Sequence, residues 1–190
     1  PMNPFNVQDP PAPLVLRKGE ERRLLAGHLW IYSNEIDTGR SPLKSYEAGQ
    51  PVEILSQRGQ WLAHANVNPH SLIAARVTSR RRDVPLDRSV LERRIRAAAA
   101  LRARFHETPS YRWIYGESDG LPGVVVDRYG DIAVVQINAA GMERRRDELV
   151  EALVAAGALK GVLLRSDSDS RALENLPHYV ETAFGTVPQE

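Results

Sequence analysis

The stretch YGESDGLPGVVVD, residues 115–127, decides how the second half of this 190-residue chain is read. Gly116-Glu117-Ser118-Asp119-Gly120 matches G-x-S-x-G, the nucleophile elbow of serine hydrolases. An elbow needs a strand entering the serine and a helix leaving it, so that Oγ stands beside a backbone oxyanion hole. After Ser118 the chain gives Asp119-Gly120-Leu121-Pro122-Gly123 and then VVVD, a second strand. Two glycines and a proline in four residues exclude a helix there. Asp127 and His178 follow in the order Ser, Asp, His, but a chain of this length offers some such trio by chance. The glycines permit positive φ and Asp119 can cap its own turn, so the stretch predicts a loop between strands.

Working outward, residues 127–131 (DRYGD) turn the chain into DIAVVQIN, which pairs back as a buried hairpin. Met142, Leu149, Val150 and Leu153 share a face of a helix over 142–156, with Gly157 as its stop. GVLLRSD and HYVETAFG read as two more strands. Upstream, Asp87 can cap a leading helix over 87–105 that carries Leu91, Ile95, Ala98, Leu101 and Phe105 at helical spacing, with Leu86 stapled onto Leu91. Residues 83–190 therefore read as a compact α+β unit, strand-strand-helix-strand-strand. Residues 13–82 hold several short strands at close spacing with turn signals, a pattern that predicts a small β-barrel. The Pro-rich residues 1–12 predict a disordered arm.

Composition narrows the chemistry. The sequence has no cysteine, which excludes disulfides, thiolate metal sites and a cysteine nucleophile within these residues. His28, His64, His70, His106 and His178 are scattered without ligand-like pairing, so no metal is expected. No apolar run approaches the ~20 residues that span a bilayer and no signal pattern opens the chain, which predicts a soluble, cytoplasmic protein with no membrane partner. Residues 167–178, DSDSRALENLPH, start like a calcium loop, but Ala172 replaces the sharp-turn glycine and His178 the bidentate glutamate. GxxxxGK[ST], HExxH and a strand-GxGxxG-helix unit are all missing. No catalytic residue is assigned.

Nucleic-acid binding survives. Net charge is only +1, yet ten arginines and three acids lie between Arg76 and Arg104. Arg22, Arg23, His28, Trp30 and Tyr32 set cations beside aromatics, the mixture that grips phosphate and stacks on bases. Trp30 reads first as a core aromatic and second as such a platform. The candidate RNA-binding set is Lys18, Arg22, Arg23, His28, Trp30, Arg76, Arg80, Arg81 and Arg82.

Three segments in order, LRKGEERRLLAGHLWIYSNEI (16–36), GESDGLPGVVVDRYGD (116–131) and LLRSD (163–167), resemble the ribosomal large-subunit RNA methyltransferase I family. These are S-adenosylmethionine-dependent enzymes that make 5-methylcytosine in 23S rRNA. The resemblance implies an N-terminal PUA domain that binds RNA, then a central strand-strand-helix-strand-strand domain. It assigns Gly116, Glu117, Ser118, Asp119, Gly120, Asp127 and Arg128 to the family's central-domain loop. Family members continue into a Rossmann-like domain with the cofactor and a catalytic cysteine. The chain is thus expected to be the RNA-recognition portion of such an enzyme, cut from a longer protein and inactive by itself. It would take large-subunit rRNA as partner and hold no cofactor, S-adenosylmethionine belonging to the longer protein. Leu29 departs from the family, which carries proline before the tryptophan. A stand-alone PUA-type RNA-binding or assembly module is the alternative. A homodimer is a further expectation, through VVVD and AVVQI if these strands lie at a sheet edge.

Overall fold

The computed structural model describes residues 12–188. Of the expected N-terminal arm, residues 1–11 lie outside them, and Ala12 already opens a strand.

The first sheet has five strands: β1 (Ala12–Val15), β2 (Trp30–Ile31), β3 (Gln50–Leu55), β4 (Trp61–Val67) and β5 (Ala75–Ser79), in the order β1-β3-β4-β5-β2. Alternation builds it: Val52 and Ile54 of β3 point into the core while Pro51 faces out. Gly59, at φ +81°, turns β3 into β4, a conformation that favours glycine. A short helix α1 (Glu21–Leu25) and the turn after β2 complete the core of Leu14, Leu16, Leu24, Ile31 and Ile36. The expected barrel is not closed by a ladder. Its two edges meet at one antiparallel bridge, Leu16 with Ile36, flanked by Arg17 N–H to Glu35 O and Asp37 N–H to Val15 O, both 2.9 Å. Two-residue β2 is too short to supply more.

The second sheet runs β10-β9-β8-β7-β6, from β6 (Ser110–Tyr115), β7 (Val124–Tyr129), β8 (Ile132–Ile137), β9 (Gly161–Ser166) and β10 (Tyr179–Gly185). Only β8 and β9 are parallel, and the chain crosses between them through α3 (Ala140–Glu143) and α4 (Arg146–Gly157). β6 gives the front half a third strand beyond the strand-strand-helix-strand-strand pattern. VVVD and AVVQI fall in β7 and β8, each paired on both sides, so neither offers an edge. The proposed edge-to-edge dimer route is therefore closed at these strands.

The leading helix, α2 (Arg88–Arg102), is capped as expected: Asp87 Oδ1 accepts from Val90 N–H at 2.8 Å. Leu91, Ile95 and Ala98 are buried against β6 and α4. Leu101 and Phe105 are exposed instead, Leu101 in the last turn of the helix and Phe105 beyond its end at Arg102. The second helix is split at Arg144 and Arg145. Its stop also differs: Ala158 takes the left-handed turn at φ +48°, while Gly157 is the last helical residue. A Cβ on Gly157 would lie 2.8 Å from the buried Trp113 ring, so the glycine is there for packing.

Candidate nucleic-acid interface

The two sheets are joined by polar side chains. Trp30 and Arg76 are cross-strand partners on β2 and β5. Trp30 Nε1 donates to Glu117 Oε1 at 2.7 Å and Arg76 Nη1 donates to the same oxygen at 3.0 Å. The Arg76 guanidinium also lies over the Trp30 ring, 5.4 Å from its centroid. Glu117 stands on the 3-10 turn Gly116–Asp119, which Gly120 closes at φ +74°. Asp119 accepts Tyr115 N–H at 2.7 Å and holds both Nη atoms of Arg102 at 2.6 and 2.7 Å. Arg94 reaches across from α2, donating to Gly120 O and Thr78 O, each at 2.6 Å. Burial, with Arg93 beside it, pulls the Arg94 guanidinium below the usual arginine range.

A second carboxylate lies deeper. Glu174, 3% exposed, sits on the 3-10 turn Asp169–Glu174. It accepts from Asn68 Nδ2 (2.9 Å), Ser71 Oγ (3.1 Å), Arg76 Nη2 (3.0 Å) and Ala140 N–H (3.3 Å). Arg76 thus bridges two carboxylates of the second sheet's loops and has only 15% of its side chain exposed. Its charge is already neutralised at the junction.

The other expected RNA-binding residues fall into two groups, with Arg23 apart from both. Lys18 and Arg22 are exposed on an open concavity of about 590 Å³, with Arg58 added and Glu20 and Glu21 opposing. Arg23 is committed to Glu35 at 2.6 Å and lies over Tyr32, and the Glu35 hydrogen bond raises its pKa. His28, Arg80, Arg81 and Arg82 are exposed near the junction. Arg80 Nη2 donates to His28 O at 2.8 Å, and Arg81 pairs with Asp83 at 2.8 Å. The Arg82 side chain has no partner among the described residues, while its carbonyl accepts from His64 Nε2 at 3.0 Å. Trp30 is 39% exposed, neither a core residue nor a free platform.

Arg80, Arg81 and Arg94 border an open groove of about 350 Å³ whose walls come from both sheets, Leu29 and Val77 on one side, Gly120 and Pro122 on the other. Sequence reasoning missed Arg94, Asn68, Glu174 and Arg102. The partners described above lie from 16 to 106 residues away, where no local pattern can signal them.

The remaining loop residues are structural. Asp127 gives both oxygens to Arg112 (2.9 and 3.0 Å), and Arg128 donates to Gly130 O and Gly157 O. Ser118 is exposed in the 3-10 turn, and β7 follows where an elbow needs a helix. Among the described residues no group of His, Asp or Glu could hold a metal ion, and no helix is long and apolar enough to cross a membrane.

The turn after β8 has no room for S-adenosylmethionine. At the end of the parallel pair β8–β9, the turn that would cradle a nucleoside leads into the four-residue α3. Ala140 N–H there is taken by Glu174, and a Cβ on Gly141 would meet Asn66 at 2.4 Å. About 10 Å³ of cavity remains.

Residues 14–80 match the family model of a PUA-like domain. Beyond that segment, nearly the whole chain is related to proteins named ribosomal RNA large subunit methyltransferase I. It is 33% identical over 184 residues to the protein of Alteromonas mediterranea, covering 94% of this chain and 45% of the relative. With that of Tolumonas auensis it shares 36% over 180 residues (93% and 45%), and with that of Aliivibrio fischeri 38% over 180 residues (93% and 45%). The chain spans less than half the length of these relatives. In fold it is similar to a candidate SAM-dependent methyltransferase from Streptococcus mutans, with a TM-score of 0.75 at 19% identity over 94% of this chain and 44% of that one. A candidate methyltransferase complexed with SAH, SMU.776, superposes at 0.74 with 19% identity, over 93% and 43%.

Proposed function

We propose that this chain is the RNA-recognition portion of an S-adenosylmethionine-dependent rRNA (cytosine-C5) methyltransferase, with residues 13–82 as RNA-binding unit and 83–190 as central unit. The observation that carries the reading is the exposed arginine run 80–82, of which Arg80 and Arg81 line the groove between the sheets and Arg80 and Arg82 have no acidic partner among the described residues. Phosphate contacts from such a border supply affinity without base specificity. The PUA-like match and the names of the relatives support rRNA as the partner and the cytoplasm as the location. The methyl transfer, its cofactor and its nucleophile belong to residues outside this sequence, which contains no cysteine.

The test has two arms. This chain should bind a large-subunit rRNA fragment but transfer no methyl group from S-adenosylmethionine, whereas the native protein isolated from its source should do both. Methylation by this chain alone would contradict the division of labour. Failure of the native protein to methylate, with binding intact, would favour a stand-alone RNA-binding or assembly module.

A further inference from the structure

We propose that the groove between the two sheets holds one unpaired nucleotide of the RNA, its base on Leu29 beside the Gly120–Pro122 loop and its phosphate on Arg80. This deepens the RNA-recognition reading and rests on it. At about 350 Å³ the groove falls within the roughly 300–1,000 Å³ of small-ligand clefts. Its charge suits a phosphate: Arg80, Arg81 and Arg94 border it and outnumber its one acid, Glu117, which is paired with the Arg76 guanidinium that Glu174 shares. Its apolar part suits one face of a base: Leu29 is partly exposed, while Val77 and Pro122, both buried, contribute only the atoms that reach the groove. A duplex keeps its bases stacked inside and presents only edges, so a slot with an apolar wall selects a single-stranded nucleotide.

The shape of the slot depends on the GESDG turn, residues 116–120. Arg94 holds Gly120 O and Thr78 O together, fixing the width between a loop of the second sheet and a strand of the first. Gly120 lies against the Arg94 side chain, where a Cβ would approach Cδ and Nε at 3.1 Å. The GESDG turn is therefore a wall of the nucleotide site as well as a strap between sheets.

The experiment uses the whole chain with a short single-stranded oligoribonucleotide carrying one 4-thiouridine, crosslinked by light and mapped by mass spectrometry. Crosslinks on the peptide holding Leu29 and on the peptide holding Pro122 are expected together. Leu29→Ala should weaken binding about fivefold through lost apolar contact, without changing the salt dependence. Binding with crosslinks confined to the first sheet's peptides would overturn the slot and leave RNA recognition standing. No RNA binding at low salt would overturn both.

Discussion

Trp30 and Arg76 face each other across β2 and β5, and both donate to one oxygen, Oε1 of Glu117. A cross-strand pair from the first sheet thus clamps a carboxylate presented by a turn of the second. Arg76 then reaches Glu174 with its other terminal nitrogen.

Removing that arginine leaves two carboxylates uncompensated, one of them buried. Arg76→Ala should cost about 3–5 kcal/mol of unfolding free energy, the usual penalty for breaking a buried pair. Urea unfolding followed by tryptophan fluorescence measures it. The salt dependence of RNA binding should be almost unaffected, since Arg76 has no charge left for a phosphate. A loss of slope with unchanged stability would return Arg76 to the RNA surface.

Arg80, Arg81 and Arg82 changed together to Ala should weaken RNA binding and flatten its salt dependence. Each phosphate contact to a single strand contributes roughly 0.7 to the log–log slope. Arg81 is already paired with Asp83, so the loss should be about 1.4, two contacts' worth, not about 2.1. Binding titrations at several salt concentrations give the number.

Two glycines in the same unit separate strain from crowding. Gly130, at φ +64°, has open space where a Cβ would go, so Gly130→Ala should cost about 1–2 kcal/mol for its left-handed backbone. Gly123, at φ +71°, would place a Cβ 2.5 Å from Ala139 Cβ, adding about 1–3 kcal/mol of overpacking. Thermal unfolding should rank Gly123→Ala well below Gly130→Ala, and equal costs would contradict the packing.

The cap of α2 carries a pH signature. Backbone hydrogen bonding from Val90, with the Ser89 hydroxyl, lowers the Asp87 pKa. A carboxylate lowered in the folded state contributes stability above its unfolded value, near 3.9, and loses it as pH falls through the folded value. The stability gap between the native chain and Asp87→Asn should therefore be full at neutral pH and shrink in acid. A gap independent of pH would mean that the charge contributes nothing.

Much of the second unit was legible because its signals are local. Asp87 ahead of Leu91 and Ile95 marks a capped helix, and the glycines around GESDG mark a turn between strands. Leu101 and Phe105 continue the helical periodicity yet are exposed, which spacing cannot reveal. The junction was illegible for a related reason. Arg76 looks like any arginine in a basic block until Glu174, 98 residues on, arrives beside it. Trp30 is half-exposed because its indole nitrogen serves Glu117, a role between the two that its sequence context suggested.

The most direct test of RNA recognition is a fluorescence-anisotropy titration of this chain against a single-stranded fragment of large-subunit rRNA, repeated across salt concentrations. Affinity should fall with salt with a log–log slope of at least about −1.4, the share of Arg80 and Arg82 alone. Absence of binding at low salt, or a slope near zero, would contradict the account.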